Sequence, residues 1–181
     1  MTLVRTRRQR AMFRFLLVDL AGFLILFFVY IYFRIKAPEW AGALHFASAI
    51  MAIAMTLFAG SASFTMAAAA NAQVRNDLPL ASRLIGATIG VWIMFLICDA
   101  MEWARLLFFE RPPQIYAATF CVLSGFHALH LIAGLPYLLM LIVNLKRSDV
   151  GAAALFVHFT NVVWLMVFVS VYLLGTDLQG F

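Results

Sequence analysis

Two histidines stand three residues apart in the apolar stretch "SGFHALHLIAG", at His127 and His130. Two carboxylates repeat that spacing in another apolar stretch, Asp99 and Glu102, and a third stretch carries His158 with Asn161. Asp19 sits alone among apolar neighbours near the N-terminus. These side chains have four chemistries open to them. They can ligate a metal, hold a haem, pass protons, or bridge helices by hydrogen bonds. Spacing alone already groups them, because residues three or four apart are neighbours on one helix surface.

The chain that must position them is made for a bilayer. Of its 181 residues, 65% are hydrophobic and only 12% charged, with a mean hydropathy of +0.98. Soluble domains are usually about a quarter charged. The composition therefore gives an integral membrane protein with one membrane domain and no sizeable soluble one. The net charge of +5 gathers in a basic N-terminus, an orientation signal in a membrane protein rather than a nucleic-acid surface. Cys98 and Cys121 lie in apolar segments with no C-x-x-C, so neither c-type haem attachment nor a zinc ribbon is indicated. The basic "MTLVRTRRQRAMFR" leads into a run that ends in "RIK" rather than a small-residue cleavage site, so no cleaved signal peptide is expected.

Five apolar runs, at about 15–33, 44–71, 84–108, 116–143 and 153–175, are each near or above the roughly 20 residues of a spanning helix. The links between them are short and carry the prolines, turn formers and most charges, as in "QVRNDLPLASR" and "FERPPQ". The expected fold is all-α: five transmembrane helices in an up-down bundle, with 1–14 a basic cytoplasmic tail, 15–175 one membrane domain and 176–181 a short periplasmic tail. Nine Lys and Arg side chains fall on the side of the N-terminus and four on the other. By the positive-inside rule the N-terminus is cytoplasmic and the C-terminus outside. Trp40, Trp103, Tyr116 and Tyr172 near span ends suit an aromatic belt.

A charged group near the bilayer centre costs at least about 2.5–3.5 kcal/mol, so those retained there face protein and find partners. The candidate buried polar network is Asp19, Asp99, Glu102, His127, His130, His158 and Asn161. Ser61, Ser63 and Thr65 in span 2, with Ser124 and Gly134 in span 4, are candidate small-residue packing positions. At about 1.5 Å per residue, Asp99 lies roughly 14 Å and His127 roughly 16 Å below the outer ends of their spans. That shared level predicts a hydrogen bond from a span-3 carboxylate to His127 or His130, with three helices offering polar pairs to a common interior. His158 lies on another level. Pro136 is expected to kink span 4.

Each chemistry leaves a different trace. Di-metal sites in bundles use Glu-x-x-His pairs on single helices, and none occurs here. A bis-histidine haem needs opposed histidines, whereas His130 and His158 fall about 10 Å apart in depth. A hydrogen-bonded scaffold and a proton relay both need only what is present. No phosphate loop, nucleotide fingerprint or Ser/His/Asp arrangement appears. A small transporter is a weaker fit, since there is no repeat and no Gly/Pro-broken helix pair.

"IYAATFCVLSGFHALHLIAG" resembles the T-F-x-x-x-x-G-F-H-G-L-H-V-x-x-G signature of subunit III of haem–copper oxidases. In the same order, "FLLVDLAGF" is similar to that family's F-L-x-S-E-x-M-F-F helix, and "ASAIMAIAMTLFAGSASFTMAAAANAQVRND" to its L-x-S-S-x-T helix. "MFLICDAMEW" is similar to its Q-x-x-E-Y helix and "LFVHFTNVVWLMVFVSVYLLG" to its W-H-F-V-D-x-V-W-L-F-L-F-x-x-Y helix. The resemblance covers nearly the whole chain, in the shorter five-helix bacterial form. Asp19 stands where the family usually has glutamate, Asp99 where it has glutamine, Asn161 where it has aspartate and Ala128 where it has glycine.

The resemblance implies a non-catalytic subunit of a respiratory terminal oxidase in the bacterial cytoplasmic (inner) membrane, using quinol or cytochrome c. Its partners would be the catalytic subunit I, other oxidase subunits and phospholipid, in a hetero-oligomer without nucleic acid. Haem and copper would belong to the partner subunits, leaving no catalytic, cofactor or metal residue in this chain. Such subunits hold lipid in a cleft, protect the catalytic centre and support proton uptake. A subunit III-like component of a nitric oxide reductase is the alternative, and an independent metal- or haem-binding membrane enzyme a further one.

Overall fold

The computed structural model describes residues 6–36 and 48–173. Trp40, the first residues of the expected second span and the 176–181 tail lie outside the described residues. The rest forms five helices: α1 (Arg7–Lys36), α2 (Ala49–Val74), α3 (Leu78–Ala104), α4 (Gln114–Val143) and α5 (Val150–Val167). Two of them continue as six-residue π-helical segments, α3 through Arg105–Glu110 and α5 through Phe168–Leu173. All five are long and apolar enough to cross a membrane. The chain is a multi-pass membrane protein. α1 starts at Arg7, upstream of its apolar run, because the preceding arginines are themselves good helix formers.

The ends of the helices are set by local chemistry. Asn76, with a φ of 62°, makes the left-handed step that turns the chain from α2 into α3. Asp77 then caps α3, its Oδ1 accepting from the Leu80 N–H at 3.1 Å. Ser48 caps α2 and Asp149 caps α5 in the same way. Pro112 and Pro113 separate the π-helical end of α3 from α4. Pro136, in contrast, is exposed within an uninterrupted α4, where no capping residue accompanies it.

α5 is the central post. In its most apolar window 56% of residues are buried, against 22–28% in the other helices. It packs on α1, α2 and α4, while α2 lies most closely along α3. Alanines make that close approach: Ala52, Ala59, Ala62, Ala69 and Ala72 line the buried side of α2. Gly134 serves the same end on α4. A β-carbon there would fall 2.5 Å from Trp92 Cζ3 and 2.8 Å from Phe156 Cε1. α1 packs against α4 and α5, so α1 and α3 flank α4 from opposite sides.

One end of the bundle is held by Gln73. Its amide donates to the carbonyls of Leu145 (3.1 Å) and Ser148 (2.8 Å) and accepts from the Val150 N–H (3.0 Å). There Arg8 also donates to the Arg147 carbonyl and Thr6 to Asp149. At the opposite end Tyr30 Oη and Arg34 both donate to the Ser170 carbonyl in the π-helical segment, at 3.2 and 3.0 Å. The ties at both ends join α1 to α5, which run parallel, while Gln73 joins α5 to the antiparallel α2. The belt reading fails for Tyr116, which is 1% exposed and stacks on Phe120. Trp103 also turns inward, because an indole N–H beside a serine gains a hydrogen bond that lipid cannot offer.

Candidate functional site

The polar side chains retained at membrane depth do not converge on one centre. The expected bond from Asp99 or Glu102 to His127 or His130 is absent, and each group turns to a different neighbour. The cause is helical geometry. Residues three apart differ by roughly 60° around the helix axis, and α4 has α1 on one side and α5 on another. His127 therefore meets α5 and His130 meets α1.

His127 is 1% exposed and its Nε2 lies 3.0 Å from the Thr160 carbonyl oxygen. A carbonyl only accepts, so Nε2 carries the hydrogen and Nδ1 is the bare lone pair. Nδ1 has no hydrogen-bond partner among the described residues. The rings of Phe95 and Trp164 flank the imidazole, with centroids 5.3 and 5.7 Å away. The α3 side chain that meets His127 is Phe95, one turn before Asp99.

His130 has Nδ1 2.7 Å from its own helix's Phe126 carbonyl and Nε2 3.0 Å from Asp19 Oδ1. The carbonyl fixes a hydrogen on Nδ1. The Asp19 contact then needs one more hydrogen, on His130 Nε2 or on the carboxyl. The pair holds a proton between α1 and α4 in either form. Phe23 and Phe126 pack on the imidazole, with centroids 5.0 and 4.8 Å away.

On α5, His158 Nδ1 lies 3.1 Å from Ser63 Oγ. The Asn161 amide donates to the same Oγ at 2.7 Å and to the Ala59 carbonyl at 2.8 Å. Trp164 continues this seam, donating to Thr56 Oγ1 at 3.1 Å. The expected pairing of His158 and Asn161 on one face is thus a bridge to α2. Thr65 Oγ1 and Thr88 Oγ1, 2.8 Å apart, tie α2 to α3. Ser61 is exposed, one helical step away from the packed face, and only its carbonyl is used, by Thr65.

Glu102 is fully buried and takes the Ser48 N–H at 2.8 Å and the Arg105 guanidinium at 2.9 Å. It anchors the start of α2 to the end of α3. Ser124 Oγ accepts from the Trp103 indole at 2.8 Å and donates to the Phe120 carbonyl at 3.0 Å. Asp99 is 4% exposed and its Oδ1 has no partner among the described residues. It lines a groove of about 810 Å³ whose walls come from α1, α3 and α4.

Three positions escaped the sequence reading, Thr56, Thr88 and Gln73, and Trp103, expected in the belt, instead bonds to Ser124. Thr56 and Ser63 share a face with Ala59, which is a legible signal, since small and hydroxyl residues at helical spacing mark a helix seam. Thr88 and Gln73 gave no signal beyond being polar in an apolar setting. No group of three or more His, Cys, Asp and Glu among the described residues is placed to hold a metal ion.

The family model described as cytochrome c oxidase subunit III matches residues 11–176. The cytochrome c oxidase subunit 3 of a Synechocystis species is 30% identical over 171 residues, covering 88% of this chain and 72% of its own length. The Corynebacterium diphtheriae protein of the same name is 29% identical over 171 residues, covering 87% and 83%. That of Spodoptera frugiperda is 30% identical over 132 residues, covering 66% and 86%. Five spans, the α4 histidines and a match from the first helix to the last make this chain a member of the cytochrome c oxidase subunit III family.

Proposed function

We propose that the chain is a non-catalytic accessory subunit of a respiratory haem–copper terminal oxidase in a bacterial cytoplasmic membrane. It packs on the catalytic subunit I, which with its partners carries the haem and copper. It contacts phospholipid along its outer faces and supports stability and proton uptake during oxygen reduction. The excess of arginine and lysine at the N-terminal end sets that end in the cytoplasm.

The observation that carries this reading is the family match across residues 11–176. The side-chain geometry is consistent with it. Nearly every retained polar group is spent on tying one helix to another, which suits a scaffold. The Asp19–His130 pair, with its one bridging proton, is the group best placed to take part in proton traffic.

The test is affinity purification of the tagged chain from native membranes in mild detergent. The expected result is a hetero-oligomer with a haem optical spectrum and oxygen consumption. Recovery of the chain without any haem-bearing partner would overturn the reading.

A further inference from the structure

Asp99 poses a problem that the bundle does not solve. It sits about eleven residues inside the end of its span at Glu110, roughly 15 Å at about 1.5 Å per residue. Its Oδ1 is enclosed and has no hydrogen-bond partner among the described residues, and the residue borders the groove. A carboxyl group left unmet at that depth is costly whether or not it is ionised. The Trp103 indole, a donor in the groove wall, is already committed to Ser124. Cys121 offers only a weak thiol.

The groove is open to the membrane between α1 and α3, with α4 as its floor. Gly22, Ala100 and Ala128 keep it shallow-walled, and nothing lies within 4 Å of where a Gly22 β-carbon would be. Lipid tails fill such space but carry no donor, and headgroup donors lie roughly 15 Å away along the axis. The donor that this groove can admit at that depth comes on a protein segment and meets the groove side of the carboxyl. Only a helix satisfies its own backbone there.

We infer that this groove seats one transmembrane helix of another subunit, which presents an O–H or N–H donor to Asp99. This rests on the accessory-subunit reading only in assuming that the chain works inside a complex. The contact would also explain why an aspartate stands at this position, since a carboxylate accepts from a hydroxyl, an amide or a cation alike.

A photo-crosslinking residue placed at Val122, which lines the groove and is 57% exposed, tests this in the native complex. Ile53, 54% exposed on the outward side of α2, is the control position. The expected result is a single protein adduct at Val122, mapped to an apolar helix with a Ser, Thr, Asn, Gln, Tyr, Lys or Arg level with Asp99. Gly22→Leu, which fills the groove without touching the fold, and Asp99→Leu, which removes the acceptor, should each lower that adduct about tenfold, and Asp99→Asn should largely retain it. Lipid adducts alone at Val122, no adduct, a partner helix without a donor, or an adduct unmoved by Gly22→Leu would overturn the inference. Haem-bearing chains co-purifying with Gly22→Leu keep this outcome separate from the accessory-subunit reading itself.

Discussion

Gly134→Ala adds one methyl group where two buried aromatic rings leave no room for it. The new carbon would stand 2.5 Å from Trp92 Cζ3, 2.8 Å from Phe156 Cε1 and 3.0 Å from Trp92 Cη2. None of these atoms belongs to a flexible chain end. Trp92 is 1% exposed and Phe156 7%, so both rings are held by further neighbours. Overpacking of this kind costs about 1–3 kcal/mol. Alanine also gains about 1 kcal/mol of helix propensity over glycine, which partly hides the clash. Gly86→Ala supplies the reference, because its β-carbon meets nothing within 4 Å. The difference between the two variants isolates the clash, and about 1–2 kcal/mol of it is a factor of roughly 5–30 in the folded ratio. Reversible unfolding of the purified complex in mixed micelles measures it. Trp92→Leu in the Gly134→Ala background should recover part of the loss by vacating the ring. Equal stability of Gly134→Ala and Gly86→Ala would refute the claim that α3, α4 and α5 meet closely at this glycine.

Four other outcomes are expected. A double-mutant cycle on Asp19→Asn and His130→Phe should give a coupling of about 0.6–1.7 kcal/mol, the range for polar pairs inside membranes, read by the same unfolding assay. His127→Ala should weaken assembly of the complex without abolishing its haem spectrum, since it removes only the bond to Thr160 and packing against Phe95 and Trp164. Asn161→Leu leaves the Ala59 carbonyl without its side-chain donor and should cost about 1–2 kcal/mol, measurable as a lower melting temperature. Gln73→Leu removes two bonds to the segment between α4 and α5 and one to the first residue of α5. Hydrogen exchange across residues 144–149 should then rise while exchange in the core of α5 stays unchanged.

The five spans were legible because apolar length is a coarse signal that a bilayer enforces strictly. Gly134 was legible too, since a glycine on the histidine face of an apolar helix has few uses besides close approach. The pairing of the polar residues was not. His127 and His130 share a face on paper, yet a rotation of roughly 60° between them is enough to send one to α5 and the other to α1. Nothing in the sequence orders the helices around α4. The expected shared level of Asp99 and His127 does not make a contact without azimuth: the α3 ring that meets His127 is that of Phe95, and Asp99 borders the groove instead. Glu102 was recognised as buried and misassigned in partner, because its partners are a backbone N–H at the start of α2 and an arginine one turn away.

We propose that this chain's polar side chains bind helix to helix and that the redox groups sit on its partners. Haem and metal analysis of the purified complex, before and after selective release of this chain, tests that most directly. The expected result is that the optical spectrum, iron and copper all stay with the remaining subunits, while the released chain carries none in stoichiometric amount. A Soret band or one equivalent of metal travelling with the released chain would contradict it.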